Sequence, residues 1–230
     1  MKKKILAVFL ARGGSKRIKN KNIIDFFGKP IIFYGLREAK KSKIFKKIHI
    51  STESFKIKKI VKKLGYKIDF DRPNYLSGDS IGTLEVLRYI LKKYEALGEK
   101  FEIIFNIFPS SPLLKCKDLN EALKIFLNNK MEKPLHVITK YPAPLEWAYY
   151  KKKNFIYPVN YKNILTDSKK FKKKFYECGP FAIYSREQIM DKGNNFIKKG
   201  FSFYQMPPFR AIDIDEKEDL DFAKHLFKSL

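Results

Sequence analysis

Five short runs of strand character alternate with four segments of helical spacing in the first 140 residues, and this alternation limits the folds open to the chain. Ile5–Leu10 is continuously apolar, as a strand buried on both faces must be. Lys47–Ser51, Lys67–Phe70, Ile103–Phe108 and His136–Thr139 supply the other strands. Between them come Ile31–Ser42, with Ile32, Leu36 and Ala39 on one face, and a helix from about Ser54 to Leu64 closed by Gly65. A helix from about Ile81 to Leu97 (Leu84, Leu87, Ile90, Leu91) and Asp118–Asn128 complete the series. The order predicts an α/β fold, a doubly wound, mostly parallel sheet with right-handed crossovers. Ligands in such sheets lie beyond the carboxyl ends of the strands, near a topological switch point. The 11–22 loop, Arg72–Ser80 and the 109–112 turn all follow strands, so one cleft can collect them.

The first of these loops carries the strongest chemistry. Leu6–Asn22 (LAVFLARGGSKRIKNKN) joins an apolar strand to Gly13 and Gly14, with Arg12, Ser15, Lys16, Arg17, Lys19 and Lys21 around them. Backbone N–H groups beside glycines approach an anion closely, and the cations neutralise it, which is how α/β proteins hold phosphates. The loop matches neither GxxxxGK[ST] nor GxGxxG. A solvated, lysine-biased connection is the plain alternative, although Arg12 stands where the strand ends.

After residue 140 the character changes. Tyr141–Tyr176 is rich in Tyr, Pro and Lys, holds the single Trp (Trp147), and reads as a hairpin or arm that covers a ligand or a partner subunit. Gly179–Tyr184 resumes as a strand, Arg186–Lys192 as a short helix and Gly200–Met206 as another strand. Ala211–Asp215 (AIDID) precedes a last helix, Glu218–Leu230. The 230 residues are expected to form one domain, 1–230, with its arm at about 141–178.

The formal charge of +25 admits nucleic acid or an anionic membrane as partner. Yet 42 of the 49 basic residues are Lys, spread along the whole chain, whereas phosphate and base readers lean on Arg. We therefore expect neither nucleic acid nor membrane as partner. No apolar run approaches the ~20 residues of a membrane helix. Met1–Lys4 followed by Ile5–Ala11 reads as the approach to a first strand rather than a signal peptide. Cys116 and Cys178 lack metal or redox spacing, which points to a reducing, cytoplasmic setting.

Asp213 and Asp215 fall on one side of an extended segment and form a candidate metal pair. Alternatively, Asp215 with Glu216 and Glu218 caps the following helix. His49, His136 and His225 read as structural, Cys178 as non-nucleophilic, and Ser110 and Ser111 as hydroxyl donors to a ligand or as turn residues.

Taken together, ARGGSKRIKNKNI, FGKPII, RPNYLSGD, a strand ending in PSSPL, ECGPFAIY and the closing IDID resemble the CMP-sugar synthetases, cytidylyltransferases of nonulosonic acids. The likeness runs from residue 5 to about 222. It implies transfer of CMP from CTP to the anomeric hydroxyl of a 2-keto-3-deoxy sugar acid, with release of pyrophosphate. It further implies nucleotide contacts at Ala11, Arg12, Gly13, Ser15, Lys21, Asn22, Arg72, Ser80 and Thr83. Arg12, Lys21 and Asp213 take catalytic roles, and Asp213 with Asp215 would hold Mg²⁺, or Mn²⁺ in its place. Phe108, Ser110, Ser111 and Phe181 fall in the sugar-binding positions. Sialic-acid members carry QPTSP where this chain has Phe108–Pro112, and an aromatic there, with FYECGPF later, resembles the pseudaminic acid branch. The family's Arg-x-Gln-Asp-Leu-Pro run has become Asp167–Lys172. Members are usually homodimers, with the arm reaching the neighbouring subunit. A 3-deoxy-manno-octulosonate cytidylyltransferase is the alternative within this chemistry, and a basic nucleic-acid-binding protein the alternative outside it.

Overall fold

The computed structural model describes residues 3–230, so Met1 and Lys2 of the basic start lie outside the described residues. Strand β1 (Ile5–Leu10) leads through a two-stranded hairpin, β2 (Asp25–Phe26) and β3 (Lys29–Pro30), to helix α1 (Ile32–Ser42). Phe27 and Gly28 turn that hairpin, both at positive φ (50° and 74°), the backbone that a tight two-residue turn requires. Strand β4 (Lys47–Ser51), α2 (Phe55–Lys63), α3 (Thr83–Ala96), β5 (Ile103–Ile107), α4 (Cys116–Asn128) and β6 (Leu135–Lys140) follow. The second half adds a hairpin of β7 (Tyr149–Lys152) and β8 (Phe155–Pro158). Then come β9 (Phe175–Ser185), α5 (Arg186–Met190), β10 (Ser202–Gln205) and α6 (Lys217–Lys228).

Six strands form one sheet in the order β10-β6-β9-β5-β1-β4. The pairs β1–β4, β1–β5 and β6–β10 are parallel, whereas β9 runs antiparallel to both β5 and β6. The chain moves from β1 to β4 on one side, then crosses back to β5 on the other. The switch point therefore falls at the carboxyl end of β1, where the glycine loop begins.

The continuous apolar character of β1 is used on both faces. Ala7 and Phe9 pack under α1, α2 and α4 with Leu36, Val61, Phe105 and Phe126. Leu6 and Val8 face α3 and α5 with Leu87, Ile90 and Ile104. A third cluster joins Ile18, Phe26, Tyr34 and Ile214 to Leu220 and Ala223 of α6, drawing the end of the chain onto the start of the glycine loop.

Two expectations are corrected. Lys67–Phe70 forms no strand. Its side chains are anchored instead: Asp69 accepts from Tyr94 at 2.7 Å, and Phe70 packs against His49 with ring centroids 4.6 Å apart. Its backbone leaves the edge strand β4 unpaired on that side, so apolar content alone gave it the look of a strand. The capping alternative holds for Glu216 and Glu218 but not for Asp215: Glu216 is the N-cap of α6, Glu218 lies in its first turn, and the Asp219 carboxylate completes a capping box by accepting from the backbone N–H groups of Asp215 (2.9 Å) and Glu216 (2.8 Å).

Candidate active site: a charged cleft at the switch point

A cleft of about 550 Å³ opens where β1 and β5 end. The loop after β1 gives it Arg12, Ser15, Lys16, Arg17 and Lys21, and the turn after β5 gives Phe108 and Ser110. Leu10, Leu76, Ile81 and Val86 form apolar wall, and Thr83 sits at the amino end of α3, whose dipole directs partial positive charge inward.

The loop is fixed at both ends. Gly13 donates its N–H to Glu53 Oε1 at 2.6 Å. A β-carbon on Gly13 would stand 2.9 Å from the Ser54 Cβ, so the close approach itself requires glycine. Asn22 is buried and donates to the Arg12 carbonyl at 2.9 Å, closing the loop into a ring of side chain and backbone. Lys21 donates to the Ile214 carbonyl (2.8 Å) and to Asp215 Oδ1 (3.0 Å).

Every cation facing the cleft from this loop has an acidic partner. Asp79 takes Arg12 at 2.6 Å and Lys16 at 2.7 Å, and Asp215 takes Arg17 at 2.7 Å beside Lys21. Hydrogen bonds from Lys16 and Arg12 hold the Asp79 carboxyl below its usual range. Burial acts to raise the Asp215 carboxyl, but Lys21 and Arg17 outweigh it and leave it lowered. Asp213 behaves in the opposite way: desolvation first, then the charge of Asp215, raises it.

Asp213 and Asp215 are the two carboxylates that would hold a divalent cation, which would have to share Asp215 with Lys21 on Oδ1 and Arg17 on Oδ2. Ile214 between them is fully buried, so both carboxylates lie away from the core. Each offers hard oxygen donors, and the Asp215 charge, which adds to desolvation in raising Asp213, is what a cation would offset. Asp215 lines the cleft, whereas Asp213 stands two residues back off its wall, with the residue open to solvent on one side and its carboxyl partly desolvated on the other.

The other expected residues divide. Arg12, Ser15, Lys21, Asn22, Arg72, Thr83, Phe108 and Ser110 converge on the cleft. Arg72 is buried and locked, its Nε on Ser51 Oγ (3.0 Å) and its NH2 on the Ser51 carbonyl (2.8 Å). Ala11 has its side chain in the core and its N–H on the Ser51 carbonyl, so it frames the cleft without lining it. Gly13 likewise has its N–H committed to Glu53. Ser80 is exposed and Ser111 buried, both off the cleft wall. Phe181 is corrected outright: fully buried, it packs on Phe105 and Tyr204 at 5.9 and 6.3 Å, as the inward phase of β9 dictates. The thiol of Cys178 is pushed up to about 12 by burial, in keeping with a structural role.

Sequence reasoning missed three contributors. Asp79 lay in the Arg72–Ser80 loop, which was expected at the cleft but with no role for this residue. Asn106 sits within an apolar strand. Arg210 pairs with buried Asp118 of α4 at 2.7 and 2.9 Å and ties down the segment leading to Asp213. The scarcity of arginine was the available signal for Arg210.

A family model described as cytidylyltransferase matches residues 6–226. The pseudaminic acid cytidylyltransferase of Campylobacter jejuni is 31% identical over 226 residues, which cover 98% of this chain and 97% of that one. The chain belongs to the cytidylyltransferase family. It is accordingly a nucleotidyltransferase enzyme. The N-acylneuraminate cytidylyltransferase of Oncorhynchus mykiss is 30% identical over 97% of the enzyme and 50% of that relative. Among solved structures, a CMP:2-keto-3-deoxy-manno-octonic acid synthetase complexed with CTP superposes with a TM-score of 0.73 over 98% of the enzyme and 99% of that chain. A 4-diphosphocytidyl-2C-methyl-D-erythritol synthase gives 0.70 over 99% of each chain. Both are 14% identical and share the fold. Among the described residues no helix is long and apolar enough to cross a membrane.

Proposed function

We propose that the enzyme activates a nonulosonic acid, pseudaminic acid foremost, as its CMP-sugar, using CTP and releasing pyrophosphate. The observation that carries this reading is the set of four cations, Arg12, Lys16, Arg17 and Lys21, brought by one loop to a cleft that also has an apolar stretch of wall, Leu10, Leu76, Ile81 and Val86. A triphosphate suits the first and a nucleoside the second. The sugar hydroxyl attacks the α-phosphorus, the bond to the β-phosphate oxygen breaks, pyrophosphate departs and the hydroxyl proton is lost to solvent or a carboxylate. Such transfer depends on positioning and charge neutralisation rather than covalent catalysis. Lys21 and Arg12 hold the phosphates, while Phe108 and Ser110 border the acceptor's side of the cleft. Mg²⁺, held by Asp215 and Asp213, would supply electrophilic charge at the phosphates.

The preference for pseudaminic acid rests on the Campylobacter relative and on Phe108 at the end of β5. We further read the chain as one domain whose arm serves a homodimer; the arm expected at about 141–178 ends by 174, because Phe175–Cys178 belong to β9, and Tyr149, Tyr150, Phe155 and Ile156 of its hairpin are exposed. Two unpaired cysteines and a CTP substrate suit the cytoplasm. Incubation with CTP, Mg²⁺ and a panel of pseudaminic, legionaminic, N-acetylneuraminic and 3-deoxy-manno-octulosonic acids tests the reading. Pyrophosphate release with a CMP-sugar of matching mass is expected for pseudaminic acid. No release with any acid overturns it.

A further inference from the structure

Strand β5 (IIFNI) is buried throughout and lies in the middle of the sheet, yet its fourth residue is Asn106. Asparagine is a poor strand former, and nothing local asks for one here, since no turn or cap is near. Its register partners are Val8 on β1 and Ala182 on β9, so its side chain shares a face with apolar neighbours. Only 2% of the residue is exposed. Its carboxamide Oδ1 is buried without a hydrogen-bond partner among the described residues. A buried, unpaired amide oxygen is destabilising wherever it occurs, so its presence calls for a compensating contact.

The cleft supplies the place for that contact, because Asn106 lines it, next to Ile107 and Phe108 in sequence. Across the same cleft stand Val86 and Thr83, at the start of α3, and Leu10 at the end of β1. None of these side chains is charged. The cations that hold phosphate come from a different element, the 12–21 loop. Oδ1 itself is closed to solvent, so it meets a ligand only after the carboxamide rotates toward the cleft; Arg72 is engaged by Ser51, and a phosphate oxygen at neutral pH has no proton to give an acceptor, so the partner is a neutral donor.

We propose that Asn106 is a substrate-contacting residue whose carboxamide accepts a hydrogen bond from a neutral hydroxyl or N–H group of the bound substrate. The inference rests on the proposed cytidylyl transfer and adds to it a polar contact on the floor of the cleft. Such donors occur on the nucleoside half of CTP, as ribose hydroxyls and the base amine. They also occur on the acceptor, as sugar hydroxyls and N-acyl N–H groups. The contact fixes orientation beside the apolar Leu10, Val86 and Ile107, and it discriminates against analogues that lack the donor, because Oδ1 is then left unpaired again.

The test uses Asn106→Leu, which keeps nearly the same volume and removes the amide. Thermal unfolding, CTP affinity by calorimetry, and KM for each substrate are measured beside the unaltered enzyme. The expected result is a melting temperature equal to or above that of the unaltered enzyme, with kcat/KM reduced tenfold or more. A weakened CTP affinity assigns the donor to the nucleoside, and a raised KM for the sugar acid alone assigns it to the acceptor. A purely structural asparagine predicts the reverse, a lowered melting temperature with both substrate constants within twofold of normal, and that outcome overturns the inference. So does unaltered kcat/KM at unaltered stability. If the leucine variant does not fold, Asn106→Ala removes the amide without added bulk and reads the same ratios. Turnover by the unaltered enzyme is the control: its absence sinks the proposed function itself, whereas its presence with an inert Asn106→Leu change sinks only this inference.

Discussion

Lys21 and Asp215 stand 194 positions apart in the sequence, yet Lys21 Nζ lies 3.0 Å from Asp215 Oδ1. The pair ties the phosphate loop to the carboxylate segment, so the two halves of the charged cleft are held in one register before any ligand arrives. Lys21→Met is expected to lower kcat/KM for CTP by about 10²–10³-fold, the usual effect of removing one preorganised charge from a phosphate site. Steady-state kinetics checks this, and an unchanged value shows that Lys21 is only a strut.

Asp213 tests the carboxylate pair separately, because it neither caps α6 nor forms the ion pairs that Asp215 forms. Asp213→Asn removes a charge that Asp215 repels. The fold should therefore survive, with an unchanged melting temperature, while the activity gained on titrating Mg²⁺ into chelator-treated enzyme is lost. A normal Mg²⁺ response in the variant refutes the metal role.

Asp79 stands where it would compete with a bound triphosphate. Its carboxylate occupies Arg12 and Lys16, and a triphosphate held by those two cations would displace it from both. The bridges are largely exposed, so the competition is modest. Asp79→Asn should lower KM for CTP by roughly two- to fivefold. A raised KM would show instead that Asp79 orders the loop for binding.

The chain's acid sensitivity should be set in part by His49. Burial lowers its pKa from 6.5 to about 4, and Arg72 and Lys47 add to the lowering against Asp69. Tyr94 donates its proton to Asp69, so the His49 Nδ1–H faces the Tyr94 oxygen at 2.9 Å and Nε2 lacks a partner. The unfolded chain binds the proton first as pH falls. Stability is thus complete above pH 6.5 and declines down to about 4, by about 3 kcal/mol over that window. Denaturant unfolding as a function of pH measures it, and His49→Asn should flatten the slope between those values.

The exposed hairpin carries the assembly prediction. Tyr150→Lys with Ile156→Lys should convert a dimer to a monomer in sedimentation velocity while leaving the melting of the central sheet in place. A monomer before mutation, or a dimer after it, contradicts the role given to the arm.

Much of the framework was legible because its physics is local. The boundaries of β1 follow from an apolar run buried by helices on either side, those of β4 from the alternation of Ile48 and Ile50, and Ser54 starts α2 as an N-cap acceptor for Ile57. The cations of the 12–21 loop were visible for the same reason. What was not legible depends on partners far along the chain. Lys67–Phe70 has strand-like residues but no neighbouring strand, and Phe181 looked like a ligand contact until the phase of β9 turned it inward. Asp79 and Asn106 carry no motif. Their meaning lies in what they face, Arg12 and Lys16 for one and an open cleft for the other.

Strand β9 lies between β5 and β6, although it follows both in the chain. The sheet therefore cannot grow by adding each new strand at an outer edge. While the chain is being made, β5 and β6 must wait with open backbone edges until residues 175–185 arrive to zip them together. Sheet closure is in this sense a late event set by long-range contacts, and such contacts fold slowly. Until it happens, the unpaired edges of two largely apolar strands invite pairing with another copy. For this enzyme the hazard of misassembly is concentrated in that interval, which β9 shortens and β10, pairing with the other edge of β6, brings to an end.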